Sequence, residues 1–96
     1  MTENPSSNDK TYSSLEEKLI KKYKNAVRDN NLAVLSNIGE TDKTRKVSRK
    51  ILIDKTYRYA QVLGKVLYED CNISINDIQD YAIQAKEEAN NIMFQK

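Results

Sequence analysis

The chain contains no histidine, and that absence removes the side chain that most often carries protons near neutral pH. Conventional nucleophile-base pairs through imidazole are excluded, and any acid–base chemistry would need a perturbed carboxylate, Lys, Tyr or Cys. The lone Cys71 cannot close an intramolecular disulfide, and one Cys without His cannot build a zinc site. Its expected place is on a helix near the core, as a small apolar residue. The two glycines stand apart at positions 39 and 64, so there is no glycine-rich loop to cradle a phosphate. Every apolar run is broken within a few positions, far short of the roughly 18 residues needed to span a bilayer. Residues 1–12 carry neither the basic nor the apolar region of a secretory signal, and Thr2 stands where myristoylation needs glycine. The expectation is a cytoplasmic protein with no membrane contact, no cofactor, no metal and no enzymatic activity. In that setting the glycosylation sequon Asn72-Ile73-Ser74 has no meaning.

What is present is helical pattern. The 96 residues suit one domain. Residues 1–12 offer only Met1 and Tyr12 as sizeable apolar groups and are expected to be a disordered tail, leaving 13–96 as a single helical domain. Ser13 and Ser14 stand three before Glu16 and Glu17, two overlapping capping boxes that open a first helix over 13–29. Its apolar arc holds Leu15, Leu19, Ile20, Tyr23, Ala26 and Val27, opposite a basic face. Continued past Asn30, that helix would turn Leu32 and Leu35 to solvent. The pattern therefore predicts a break, a second helix over 31–38 capped by Asn30 or Asn31 and ended by Gly39, and a polar connection over 40–46.

Residues 47–71 carry the strongest hydrophobic signal, about 200° of a helical wheel from Ile51, Leu52 and Ile53 through Tyr59, Ala60, Val62 and Leu63 to Val66 and Leu67. So wide an arc predicts a central helix covered on several sides. Gly64 lies on its polar strip, and of close approach or no role the reading favours no role. Ser74 opens the last helix, 75–94, with Asp77 at the third position and Ile73 and Ile78 as a staple. Ile75, Ile78, Ala82, Ala85, Ala89 and Ile92 form a heptad seam there, read as antiparallel packing inside the bundle, with a homodimer through the 75–92 helix as the alternative. The fold class is thus all-α, a small four-helix bundle around a long central helix.

Acid pairs offer little chemistry. Asp77 and Asp80 suit the macrodipole at a helix start, and Glu69-Asp70 and Glu87-Glu88 point in diverging directions. The charge distribution says more. Residues 9–65 hold fourteen Lys and Arg against seven Asp and Glu, net +7, whereas 66–96 hold two against six, net −4; Glu3 completes the overall +2. The densest stretch, 43–58, carries seven cations and Asp54, net +6.

Lys43, Arg45, Lys46, Arg49, Lys50, Tyr57 and Arg58 are the candidate partner-binding residues, with Tyr57 and Tyr68 as exposed aromatic anchors. Three readings stand beside one another: a merely solvated basic face, a docking surface for an acidic protein partner, and a nucleic-acid interface. In the nucleic-acid reading, Lys46-Val-Ser-Arg-Lys-Ile-Leu-Ile53 as a strand, followed by helices 54–71 and 75–93, looks like the order of ribbon-helix-helix repressors. That resemblance implies a dimer whose Lys46, Ser48 and Lys50 face the major groove while Val47, Ile51 and Ile53 face the core. The function expected is a small regulatory subunit, inhibitor or adaptor acting through the basic surface, with a nucleic-acid-binding regulator as the alternative.

Overall fold

The computed structural model describes residues 12–94. It is all-α: α1 (Ser14–Asn37), α2 (Lys43–Glu69) and α3 (Ile75–Phe94), with no strand among the described residues. The helices are therefore three, not four, and residues 46–53 lie within α2, which removes the strand that a ribbon-helix-helix arrangement needs.

Local caps set the starts. Ser13 Oγ accepts from the Glu16 amide at 3.1 Å and Glu16 Oε1 accepts from the Ser13 amide at 3.0 Å, a complete capping box. Ser74 Oγ accepts from the Asp77 amide at 3.1 Å, and Ile73 is buried beside Ile78 in one cluster, the staple expected there. At α2 the start falls at Lys43, four residues before the expected 47, because Asp42 caps it by accepting from the Arg45 amide at 3.0 Å.

The break expected at Asn30 does not occur. Its side-chain amide does not cap a helix; it reaches across to α2 and donates to the Ile53 carbonyl at 2.9 Å and Thr56 Oγ1 at 3.1 Å. Leu32 and Leu35 are half-buried because neighbours flank α1 on two sides, widening its covered arc. The helix stops seven residues later, at Asn37, where Gly39 takes a φ of 80° that other residues adopt at a cost.

The central element is accordingly α1 and not the 47–71 helix. It packs against both others, whereas α2 and α3 scarcely meet. Two reversals of direction leave α3 running in the same sense as α1, so its seam packs in parallel and not antiparallel: Tyr81 lies under Lys24, Ala85 joins Ala26 and Val27, and Glu88 reaches Arg28 at 3.8 Å. Ala85 and Ala89 are buried, while Ile75 and Ile92 at the ends of the seam stay half exposed. The molecule measures 57 × 31 × 20 Å.

Two apolar clusters run along α1. Ala26, Val27, Ala60, Leu63 and Ala85 form one; Ile20, Leu67 and Ile73 form the other, with Tyr12, Cys71 and Tyr81 against it. Tyr12, expected in the tail, thus belongs to the folded part; the rest of that segment lies outside the described residues. Gly64 also has a role that the sequence reading did not favour. A Cβ there would stand 3.2 Å from Tyr23 Cε1, so the glycine leaves room for the ring.

Leu67 is fully buried, whereas Val62 on the same helix is 60% exposed. Leu67→Ala should cost about 3 kcal/mol, and Val62→Ala less than about 0.5 kcal/mol. Urea unfolding followed by circular dichroism measures both; equal costs would contradict the packing described.

Candidate partner-binding surface

Arg49 lies opposite Ser36, near the end of α1, so the preceding residues of α2, 43–48, project past the central helix and are all exposed. Holding this projecting end is a small polar clasp centred on Glu40, whose side chain is only 10% exposed. Glu40 accepts from the Asp42 amide at 3.1 Å, from Arg45 Nε at 3.4 Å and from Arg49 Nη1. Arg49 Nη1 also donates to the Ser36 carbonyl at 2.7 Å, one of the carbonyls that a helix leaves without an intrahelical partner at its C-terminus. The Glu40 carboxyl is held below the ordinary glutamate range, chiefly by the Asp42 amide; desolvation opposes this, and the charges of Arg45 and Arg49 reinforce it.

The seven candidate residues consequently divide. Lys43, Lys50 and Tyr57 recur every seven residues along one edge of α2, with Lys46 beside them. Arg58 lies further round, on the outward face. All five are exposed, and among the described residues the four cations have no ion-pair partner. Arg45 and Arg49 are turned to the clasp, although Arg45 remains exposed. The Tyr57 hydroxyl accepts from Gln61 Nε2 at 3.1 Å, and its ring lines a solvent-open cleft of about 250 Å³ between α2 and α3. Tyr23 and Val27 lie in this cleft from α1, Gly64 from α2, and Ala82 and Lys86 from α3. Tyr68 is half exposed.

What sequence reasoning missed is the state of the apolar residues on α2. Ile51, Leu52, Tyr59 and Val62 were expected in or near the core, yet they are 47–63% exposed. The available signal was the 200° arc itself, wider than one neighbouring helix can cover. Glu40 was likewise read only as part of a polar connection.

Other chemistry is sparse. Among the described residues no group of three or more His, Cys, Asp and Glu could hold a metal ion, and no helix is long and apolar enough to cross a membrane. The Cys71 thiol packs beside the Ile20, Leu67 and Ile73 cluster, and desolvation, with the nearby Glu16 and Asp70 carboxylates, raises its pKa. Tyr81 is raised too, mainly by burial and then by the hydroxyl contact with Tyr12 at 3.4 Å.

No family model, curated protein or solved structure matches the chain.

Two outcomes test this arrangement. The depressed Glu40 carboxyl contributes stability that is present above the ordinary glutamate pKa and is lost as pH falls through the lowered one. Melting temperature should therefore drop in that acid range, and Glu40→Gln should flatten the drop. Combined charge reversal of Lys43, Lys46 and Lys50 should leave Tm unchanged or raise it by a few degrees at neutral pH, since acids in the first turn of α2 suit the helix dipole, whereas Arg49→Glu should lower it clearly; the opposite ranking would refute the division between clasp and open edge. Separately, Cys71 should react with a thiol reagent at pH 8 several-fold more slowly than free cysteine, since its raised pKa leaves less thiolate.

Proposed function

We propose that the protein is a non-enzymatic regulatory or adaptor module that binds an acidic protein partner through α2. The observation that carries this reading is the combination, on one helix, of unpaired exposed cations and uncovered apolar side chains. Lys43, Lys46, Lys50 and Arg58 supply long-range attraction, and Val47, Ile51 and Tyr59 supply area that gains free energy when water leaves it. A merely solvated basic face has no need of the second ingredient. A phosphate backbone rewards only the first. Patches in which apolar groups are rimmed by charge are characteristic of protein interfaces.

A photo-crosslinking residue at position 47 should capture an acidic protein in the source cell, and the capture should be lost when Lys43, Lys46 and Lys50 are reversed to Glu. In parallel, random duplex DNA should show no saturable binding at physiological salt. A tight, steeply salt-dependent association with DNA, together with no acidic protein at position 47, would transfer the function to nucleic-acid binding.

A further inference from the structure

One lateral edge of α2 has more order than exposure alone requires. Leu52, Lys55, Tyr59, Val62 and Val66 recur at spacings of 3, 4, 3 and 4, the rhythm by which one helix receives another. Leu52, Tyr59 and Val62 are about half exposed or more, and Val66 is half-buried at the far end. At about 1.5 Å per residue the seam runs for roughly 21 Å, matching a partner helix of about four turns. This α2 edge does not line the α2–α3 cleft; at its start Leu52 lines an open groove against α1, with Leu32, Ala33 and Ser36, and Tyr59 and Val62 beyond it remain about half exposed or more.

The charges around the seam decide what fits it. Lys55 sits within it, and Arg58 and Lys65 each stand one residue before a seam position, where flanking charges meet a docked helix. A second copy of this chain would set these three cations among their counterparts, with Glu69 as the one acid continuing the seam. The chain's own residues 1–11 hold Met1 as their one sizeable apolar group and cannot furnish an apolar stripe. Nucleic acid matches the cations but not the half-exposed Leu52 and Val62. An acidic amphipathic helix matches both.

We infer that the lateral seam of α2, Leu52 to Val66, is a docking groove for an amphipathic helix of another protein, with apolar residues at heptad spacing and Glu or Asp at the flanking positions. This rests on the acidic-partner reading above and specifies the form and place of the partner. The partner helix lays its apolar stripe on Tyr59 and Val62, and its flanking acids meet Arg58, Lys65 and the Lys55 ammonium. The Lys43, Lys46 and Lys50 edge stays outside the contact and serves to attract.

The test uses three labelled synthetic peptides and the full chain, with binding read by fluorescence anisotropy at low and physiological salt. One peptide has Leu at heptad positions and Glu at the flanks, the second is a scramble of the same composition, and the third replaces the flanking Glu by Lys. The first should bind, the other two at least tenfold more weakly. Val62→Glu should weaken the first by at least tenfold with an unchanged helical spectrum; Tyr59→Ser serves if Val62→Glu loses helicity. Reversal of Lys43, Lys46 and Lys50 should weaken it by less than Val62→Glu does. Equal binding of the scramble would overturn the helix-docking seam while leaving an acidic partner in place, and equal binding of the Lys peptide would overturn the charge match. No binding of either acidic peptide at low salt would overturn both readings. Sedimentation showing that the chain alone dimerises, and that Val62→Glu abolishes the dimer, would assign the seam to a second copy.

Discussion

Everything in this fold hangs on one helix having two neighbours that do not support each other. In a closed bundle each helix is held from at least two sides, so losing one contact leaves others. Here α2 and α3 are each held almost entirely by α1. The apolar groups that matter are consequently strung along α1, from Ile20 to Ala26 and Val27, and each joins small or branched residues from the flanking segments. Small residues dominate the contact: Ala26, Ala60 and Ala85 allow close approach but bury little area apiece. The larger share of burial falls to Leu63, Leu67 and Ile73, which is why a single truncation there weighs heavily.

The same geometry explains the polar contacts between α1 and α2. Asn30 spans to the α2 backbone midway along the pair, and Arg49 spans to the end of α1 through Ser36 and Glu40. These bonds fix the register of two helices whose apolar contacts, being non-directional, would tolerate sliding. The position of the basic edge in space depends on that register. A shift of one turn would move Lys50 by about 5 Å relative to α1.

The parts of this fold that were legible in the sequence are those whose causes are local. Ser13 with Glu16 and Ser74 with Asp77 act within one helical turn, and both helix starts were legible for that reason. Gly39 acts through its own φ, and it was legible as a helix end. The course of the chain at Asn30 was not legible, because the partners that employ its side chain are 23 and 26 residues away, and an Asn beside a second Asn reads locally as a cap. Hydrophobic periodicity fails in a different way. It tells which side chains of α2 are able to be buried, and the number that are buried depends on how many neighbours arrive. A 200° arc met by one helix leaves half of itself in water, so Ile51 and Val62 became surface although their pattern is that of core. The candidate site was half legible: Lys43, Lys46, Lys50, Tyr57 and Arg58 are exposed on α2, while Arg45 and Arg49 belong to a clasp whose acid, Glu40, looked like loop.

The N-terminus of α2 presents a local electrostatic conflict. Its first turn has no acidic residue and carries Lys43, Arg45 and Lys46, cations placed where the aligned peptide dipoles present partial positive charge. Asp42 as cap and Glu40 behind it offset part of that repulsion, and Glu40 draws in Arg45 and Arg49. Lys43 and Lys46 have no described counter-charge. Such a conflict lowers the stability of the isolated chain slightly, and it is relieved when negative charge comes close. The end of α2 that projects past α1 is also the end whose electrostatics improve on meeting an acidic surface. On the proposed reading, the half-exposed apolar side chains of α2 and the charge conflict at its start are relieved by the same acidic partner.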